Sequence, residues 1–473
     1  MANETQQPLG RSALLGLVAM GLAVLVIAND FTALSVALPA IERDFGADVT
    51  TVQWVINGYA MVFGVLIVSG GRLADMFGRR RIFFVGAVIF AAFSIMGGFA
   101  PNIWVLLAAR ALMGVGGALM WPAILGMTYN LLPKERAGLA GGLILGAVGF
   151  GNAIGPLLGG VLTDAANWRW IFYLNLPIAA FAMLVTWRVV KDDVPTLPDK
   201  WIDYGGIATL SIGIFAMLLA LDQGSDRGWF DPWILGLFAL SVAALAVFVL
   251  VERSVAEKAL IPADVLQNRG FVAACAATLL MSAIFFASLL FLPQFMTKIL
   301  GFSAVGAGAG LLPMMGTFAV TSFVAGPLYA RLGPKLIVSL GAALLAVGIF
   351  LLSRLHENSG YADLILGMVI LGLGVGLFYS SITTAAVTAL DSSRSALAGG
   401  IVYMCQIAGG SVGLGLNTAL VVTAPTLAEG IQRAFVVDSV LALCGLVVAV
   451  LFVGGTVDPA RLRDLRYHHR AHG

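Results

Sequence analysis

Charged residues are scarce in this chain. They make up 11% of 473 residues, against 60% apolar residues, and the mean hydropathy is +0.96. A soluble domain carries charge at about a quarter of its positions, so the composition excludes a soluble protein. The net charge is only +2, and no basic run is long enough to bind a phosphate backbone. A nucleic-acid partner is therefore not expected.

Cysteine and histidine are also few. The three cysteines lie in apolar stretches without metal-ligand spacing, so we interpret them as small packing residues. The four histidines lie in a loop or in the C-terminal tail, which argues against a zinc site or a histidine relay inside a membrane. The nucleotide-binding pattern Gly-x-x-x-x-Gly-Lys-Ser/Thr is missing. We predict no cofactor, no metal and no enzymatic activity.

Long apolar segments run through the whole chain instead. A helix needs about 20 apolar residues to cross a bilayer, and fourteen such segments are separated by charge, Pro and Gly. The first segment continues to Leu38, which indicates a retained helix rather than a signal peptide. The predicted spans are 13–38, 50–70, 82–100, 102–128, 138–162, 170–189, 203–221, 232–251, 270–293, 303–325, 335–353, 362–388, 396–422 and 434–455. The fold class is therefore an all-α polytopic membrane protein.

The distribution of Lys and Arg predicts the orientation of these spans. With both termini in the cytoplasm, 20 of the 27 Lys and Arg residues lie on the inner side and six on the outer side. Cytoplasmic loops carry such an excess of positive charge, so we predict cytoplasmic termini. The remaining one, Arg110, falls inside the fourth span.

A charged turn follows the second span, with the sequence GRLADMFGRRR at 71–81. It combines the carboxylate of Asp75 with Arg79 and Arg80, and Gly71 and Gly78 bracket the turn. An Asp at this position can hold the N-terminus of a neighbouring helix through the helix dipole, or an Arg of the same loop. We predict that this segment is a conformational latch. Simple anchoring of the positive charges on the inner side is the alternative for Arg80 and Arg81.

Asp30 and Arg110 are charged residues within the first and fourth spans. Such residues are expensive in lipid and are functional by default, with a partner. Each lies eight residues from the predicted outer end of its span, at Leu38 or Asn102, or about 12 Å at 1.5 Å per residue. We expect them to form a pair, and a static structural ion pair is the alternative to a functional one. Asp222, Asp363 and Asp438 are predicted to lie near span ends.

The fifth span contains the sequence GFGNAIGPLLGG at 149–160. Gly151, Gly155 and Gly159 recur every four residues, with Pro156 and Gly160 beside them. Small residues at this spacing allow close approach of another helix, and Pro156 removes one backbone hydrogen bond and permits a bend. Ordinary close packing of helices is the alternative interpretation.

These patterns together resemble the major facilitator superfamily, whose inner loop has the arrangement seen at 71–81. A degraded copy, GPLYARLGPK, stands at 326–335 with Ala330 in place of the Asp. Repeated halves related by an axis along the membrane normal are typical of this superfamily. The second copy therefore lacks the carboxylate that a symmetric latch would need.

Two further segments resemble the fourteen-span drug:proton antiporters of this superfamily: NDFTALSVALPAIERDF at 29–45 and NWRWIFYLNLPIA at 167–179. The resemblance extends from about residue 13 to 455. It implies a six-helix bundle at 13–189, two inserted helices at 203–251, a second six-helix bundle at 270–455 and a cytoplasmic tail at 456–473.

The resemblance also implies a function. An Arg in the fourth span is linked to proton transfer in the family, and the Gly-Pro string of the fifth span resembles a motif that separates exporters from uptake carriers. We expect a proton-coupled antiporter of the cell membrane that exports lipophilic small molecules by alternating access, as a monomer among membrane lipids. The alternatives are a lipid exporter on the same scaffold, an uptake symporter and, from another class, a channel.

Polar, aromatic and Met residues within the spans form the candidate substrate cavity. Adaptable side chains of this kind suit hydrophobic ligands, while packing between helices is the alternative for each residue. The candidates are Asn29, Asn57, Met61, Trp121, Asn152, Gln294, Tyr379, Tyr403 and Gln406.

Overall fold

A computed structural model of the chain describes residues 10–133, 136–191, 201–255 and 258–454. These residues form sixteen α-helices and no β-strand. The helices are α1 (Arg11–Phe45), α2 (Val49–Phe77), α3 (Arg79–Gly98), α4 (Ile103–Leu131), α5 (Ala137–Ala165), α6 (Trp170–Val189), α7 (Tyr204–Arg227), α8 (Pro232–Val255), α9 (Ala263–Gln267), α10 (Arg269–Lys298), α11 (Ala304–Gly310), α12 (Leu312–Leu332), α13 (Pro334–Leu352), α14 (Tyr361–Ala389), α15 (Ser395–Val422) and α16 (Leu427–Phe452).

Thirteen helices in the described part of the chain are long and apolar enough to cross a membrane. The tenth predicted span, 303–325, differs from the prediction because it is divided at Leu311 into α11 and α12. Helix α12 has 21 residues, or about 31 Å at 1.5 Å per residue, which also matches a bilayer core. We therefore place α12 in the tenth position of a fourteen-helix architecture.

Short polar or glycine-containing turns determine where the helices end. Asn102 separates α3 from α4, and its side-chain oxygen accepts a hydrogen bond from the Val105 N–H at 3.0 Å. Gly78 ends α2 with a φ of +100°, a conformation that glycine adopts without steric cost. The tight turn at Gly78 positions the charged segment 71–81 against the rest of the bundle.

The helices are arranged in two six-helix bundles with the same neighbour relations. In the first bundle, α1 packs against α5 and α6, and α4 packs against α2 and α3. In the second bundle, α10 packs against α15 and α16, and α14 packs against α12 and α13. Between the bundles, α5 packs against α12 and α2 packs against α15. The predicted two-bundle fold is confirmed, while the exact domain boundaries remain predictions.

The inserted helices α7 and α8 pack against each other, and α7 also contacts α2 and α15. The Asn57 side chain of α2 donates a hydrogen bond to Asp222 of α7 at 2.9 Å. On the other side, Trp229 and Leu221 lie close to Gly415 of α15. Helix α7 therefore bridges the two bundles on one flank. The predicted tail at 456–473 lies outside the described residues.

Several helices extend beyond their predicted spans. Helix α1 reaches Phe45 rather than residue 38, and α16 begins at Leu427 rather than residue 434. The longer α16 corrects one expectation, because Asp438 lies eleven residues into the helix and is fully buried instead of lying near a span end. Hydropathy marks the apolar part of a helix, but polar turns at its ends can continue the same helix.

Candidate functional site

Asp30 of α1 and Arg110 of α4 form an ion pair inside the first bundle. Both side chains are fully buried, and the Arg110 Nη1 contacts the Asp30 Oδ2. The Arg110 Nε donates to the backbone carbonyl of Val55 at 2.6 Å, and the guanidinium lies 4.4 Å from the centre of the Tyr59 ring. Within the described residues, the Arg110 Nη2 has no hydrogen-bond partner. The pair therefore joins α1, α2 and α4 and retains one donor for another acceptor.

Asn175 of α6 is a third polar residue of this site, which sequence reasoning missed. Its side-chain amide donates to the Asp30 Oδ1 at 3.1 Å and to the Ser94 Oγ of α3 at 3.2 Å. The Ser94 hydroxyl in turn donates to the carbonyl of Phe172 at 2.8 Å. Asn175 is 1% exposed. The signal for it in the sequence is a polar Asn within an apolar span.

Asp75 of α2 contacts the second bundle at the end of the molecule where α2 meets α3, which we call the Asp75 end. Its carboxylate accepts the backbone N–H of Leu397 at 2.8 Å and that of Ala396 at 3.3 Å. Both donors lie in the first turn of α15, where free N–H groups and the helix dipole favour a negative charge. The side chain of Asp75 thus caps a helix of the other bundle.

Arg79 completes this contact between the bundles. Its guanidinium donates to Asp75 at 2.8 and 2.9 Å and to the carbonyl of Ser392, just before α15, at 2.7 Å. A Cβ atom at Gly71 would lie 2.7 Å from the carbonyl oxygen of Ala396, so glycine is required for this approach of α2 to α15. Arg80 instead donates to the carbonyl of Trp187 of α6 at 2.9 Å, within the first bundle.

The glycines of α5 form the face that packs along α1. A Cβ at Gly151 would lie 3.0 Å from the Cβ of Ala28, and a Cβ at Gly159 would lie 3.0 Å from the Cα of Ala33. Gly155 lies against Thr32 between them. A Cβ at Gly160 would lie at an ordinary van der Waals distance of 3.7 Å from Val36, so this position does not require glycine. Pro156 lies on another face, close to Gly308 of α11 in the second bundle.

Of the candidate cavity residues, the structure brings Trp121 and Tyr403 together across the two bundles. Their ring centroids are 4.3 Å apart, and Phe63 packs edge-on against both. The Trp121 Nε1 is buried and has no hydrogen-bond partner among the described residues. This aromatic cluster is a largely apolar surface that includes the Trp121 N–H and the Tyr403 hydroxyl.

The other cavity candidates are more dispersed. Asn152, Gln294 and Gln406 are half-buried on α5, α10 and α15, whereas Asn29 is buried beside the α1–α5 contact. Tyr379 is 1% exposed within the second bundle, and its hydroxyl is 3.0 Å from the Ser282 Oγ, so its place in a cavity remains a prediction. An aromatic residue in a span does not indicate by itself whether it faces a cavity or a neighbouring helix.

A comparison with protein families identifies this architecture. The sequence model of the Major Facilitator Superfamily matches residues 20–319 and 274–467. The chain belongs to the Major Facilitator Superfamily. It is a multi-pass membrane transporter and not an enzyme, and its similarity to bacterial relatives indicates the plasma membrane.

Curated relatives of the superfamily align over most of this chain. A puromycin resistance protein of Streptomyces alboniger is 35% identical over 93% of this chain and 88% of its own length. A tetracenomycin C resistance and export protein of Streptomyces glaucescens is 32% identical over 84% of this chain and 74% of its own. A multidrug transporter of Bacillus subtilis is 34% identical over 81% and 70%.

The human organic anion transporter MFSD10 shares the fold. Its crystal structure matches with a TM-score of 0.68 and 15% sequence identity, over 92% of this chain and 99% of the other. At this identity the match supports the fold alone.

The second copy of the superfamily's inner-loop pattern occupies the equivalent place between α12 and α5. A Cβ at Gly326 would lie 2.7 Å from the carbonyl of Gly138, in the first turn of α5. This repeats the packing of Gly71 on Ala396. Ala330 provides no carboxylate here, and within the described residues the N-terminus of α5 has no side-chain cap. The two halves therefore share a packing contact and differ in its electrostatics.

A lateral groove opens on the flank of the transporter between α2, α4 and α7. Its volume is about 500 Å³, and its wall is apolar and aromatic. Met61, a cavity candidate, lines this groove together with Trp54, Trp104 and Phe215. The groove is thus separate from the Trp121–Tyr403 cluster.

Proposed function

We propose that this chain is a proton-coupled antiporter that exports lipophilic small molecules by alternating access. The observation that carries the proposal is the Asp30–Arg110 pair, which is fully buried and contacts three further groups of the first bundle. The similarity to resistance and export proteins supports antibiotics and related drugs as the substrate class.

The environment of Asp30 can couple proton binding to conformation. Burial favours the neutral form of a carboxyl group, and a guanidinium favours the charged form. A change in the separation of α1 and α4, or in their hydration, therefore changes the proton affinity of Asp30. Proton entry from outside and release inside would then drive substrate in the opposite direction.

The latch supports a state that is closed at the Asp75 end. Besides the contacts of Asp75 and Arg79 with α15, the Tyr129 hydroxyl of α4 is 3.0 Å from the Thr384 Oγ1 of α14. With cytoplasmic termini, as the charge distribution favours, this end is the inner one. Opening of the Asp75 end would separate these groups during the transport cycle. We propose a monomer as the transporting unit, surrounded by membrane lipids.

Transport into everted membrane vesicles tests this proposal, with puromycin and tetracenomycin C as first substrates because of the named relatives. The Asp30→Asn variant should lose proton-gradient-driven uptake by about tenfold or more, since the titratable group is removed. It should retain substrate exchange across a membrane without a gradient. Asp363→Asn is the matched control, because Asp363 is exposed in the first turn of α14.

Full gradient-driven transport by Asp30→Asn would contradict the assignment. Loss of both uptake and exchange, together with a lower melting temperature, would show that the pair is only structural.

A second candidate function, lipid export, is favoured by the lateral groove. A groove of about 500 Å³ between α2, α4 and α7 that is lined by Trp54, Trp104 and Phe215 could admit an acyl chain. The test is the movement of a fluorescent phospholipid between leaflets of proteoliposomes. Movement that depends on the protein and is blocked by Gly58→Trp, which fills the groove, would favour this function over drug export.

A further inference from the structure

A second buried carboxyl group lies in the other bundle. Asp438 of α16 is 0% exposed. It follows the first residue of the helix, Leu427, by eleven positions, which is about 16 Å along the helix axis. The nearest ion pair on the same helix, Arg433 with Glu429, is exposed and close to the helix start. Asp438 is therefore well within the apolar part of the bundle.

Its hydrogen-bond partner is neutral. The Asn417 Nδ2 of α15 donates to both Asp438 oxygens, at 3.0 and 2.9 Å. The Asn417 Oδ1 is buried and has no partner among the described residues. Protonation of Asp438 would supply the donor that this pair lacks, since rotation of the amide can turn its oxygen towards the carboxyl O–H.

No cation compensates Asp438 in the described part of the chain. Helix α16 packs against α10, α13 and α15, and no basic side chain of these helices forms an ion pair with it. The ionisable groups on the four helices are Arg269, Cys275, Lys298, Lys335, Tyr403, Cys405, Glu429, Arg433 and Cys444. An unpaired charge at such a position costs free energy. Protonation of the Asp438 carboxylate removes this charge.

The position of Asp438 corresponds to that of Asn175 in the first bundle. An alignment of α6 with α16 without gaps pairs Asn175 with Asp438 and the buried Phe172 with the buried Phe435. The residue equivalent to Arg110 is Met368 of α14. Gly114 lies four residues after Arg110 and approaches the backbone of α2. Gly372 lies four residues after Met368 and approaches the backbone of α12, the helix equivalent to α2. The second bundle thus carries an acid without the arginine of the first.

We propose that Asp438 is a second proton-binding site, at which one carboxyl oxygen takes up a proton from water on one side of the membrane and releases it on the other. We infer proton binding from the burial of Asp438 and from its hydrogen bonds with Asn417. Its release during transport rests on the proposed proton-driven function.

Infrared difference spectroscopy of the full-length protein in lipid tests the binding step. The C=O stretching band of a protonated carboxylic acid should be present in the unmodified protein at neutral pH, shift in D₂O, and disappear in Asp438→Asn. The band should persist in Asp363→Asn, the exposed control. Asn417→Leu should move the band, because it removes the amide that contacts both oxygens. A spectrum of Asp438→Asn that is identical to that of the unmodified protein overturns the proposal.

Proton stoichiometry in proteoliposomes tests the release step. Asp438→Asn should transport substrate with one proton fewer per cycle than the unmodified protein. An unchanged stoichiometry, with the infrared band present, overturns the release of this proton and leaves a permanently neutral acid. Absence of any proton coupling in the unmodified protein contradicts the proposed function instead, and the infrared result still decides whether Asp438 binds a proton.

Discussion

Asp75 shows how one carboxylate can control a contact between two large bundles. It receives two backbone N–H groups of α15 and the guanidinium of Arg79, while its own side chain is almost fully buried. Hydrogen bonds to a charged group are about twice as strong as neutral ones. If Asp75 is removed, the first turn of α15 and Arg79 both lose their acceptor.

We predict that Asp75→Ala shifts the transporter away from the state closed at the Asp75 end. The loss of a buried, paired acceptor costs about 2–3 kcal/mol, which changes the equilibrium by about thirtyfold or more. Spin labels at Asn130→Cys in the first bundle and Gln267→Cys beside the second, both at exposed positions, should show a longer distance population in a cysteine-free background.

Asp48→Ala is the matched control for this measurement. Asp48 accepts the Thr51 N–H at 2.9 Å at the opposite end of α2, so its loss should weaken only that helix start. An unchanged distance distribution in Asp75→Ala would mean that the capping contact does not stabilise the closed state.

At the scale of helices, the same glycine-to-backbone contact between the two bundles occurs twice. Gly71 of α2 approaches Ala396 of α15, and Gly326 of α12 approaches Gly138 of α5, with close distances in both cases. Glycine permits the close contact of backbones that lets long helices slide past each other. Among the described residues, only the α2–α15 contact has a carboxylate at the helix N-terminus. These residues therefore stabilise the closed state more at the α2–α15 contact than at the α12–α5 contact.

We predict that Ala330→Asp supplies the missing cap to α5. The new carboxylate would face the first turn of α5, which has no side-chain cap among the described residues. An acid at a helix N-terminus contributes about 1 kcal/mol, so the ratio of closed to open transporter should rise about fivefold. The same spin-label pair measures it, and transport should slow if opening of this end limits the cycle.

Ala330→Asn separates charge from hydrogen bonding in that experiment. The amide can cap a helix but carries no charge. Ala330→Asn should therefore raise the closed-to-open ratio less than Ala330→Asp does. A smaller closed population in Ala330→Asp would show that the free-energy cost of desolvating the new carboxylate exceeds its favourable interaction with the helix dipole.

At the scale of the whole molecule, the remaining prediction concerns orientation. The excess of Lys and Arg predicts that both termini and the Asp75 end lie in the cytoplasm. A cysteine at Glu357, in the exposed turn between α13 and α14, should then react with a membrane-impermeant maleimide in intact cells.

Arg81→Cys provides the opposite probe, because Arg81 is exposed at the start of α3 beside the latch. It should be labelled only in everted vesicles or after permeabilisation. The reverse labelling pattern would invert the assignment of the inner and outer ends, and with it the direction of transport that we propose.

The sequence alone determined the class of the molecule and the places where it departs from a simple apolar bundle. Bilayer thickness requires about 20 apolar residues per span, and charge in lipid is too costly to occur without a partner. These two constraints are local, so they reveal the spans, Asp30 and Arg110 without any knowledge of packing. The glycine repeat of α5 and the charged turn at 71–81 are local patterns as well.

Only the tertiary structure decided which groups meet. Asn175 reaches Asp30 from α6, Val55 offers its carbonyl to Arg110, and the first turn of α15 faces Asp75 across more than 300 positions of chain. It also decided that Asp438 is buried, since the start of α16 depends on a polar helical turn that hydropathy does not detect. Such contacts depend on how helices rotate and cross, and an apolar span has no polar face from which this could be predicted.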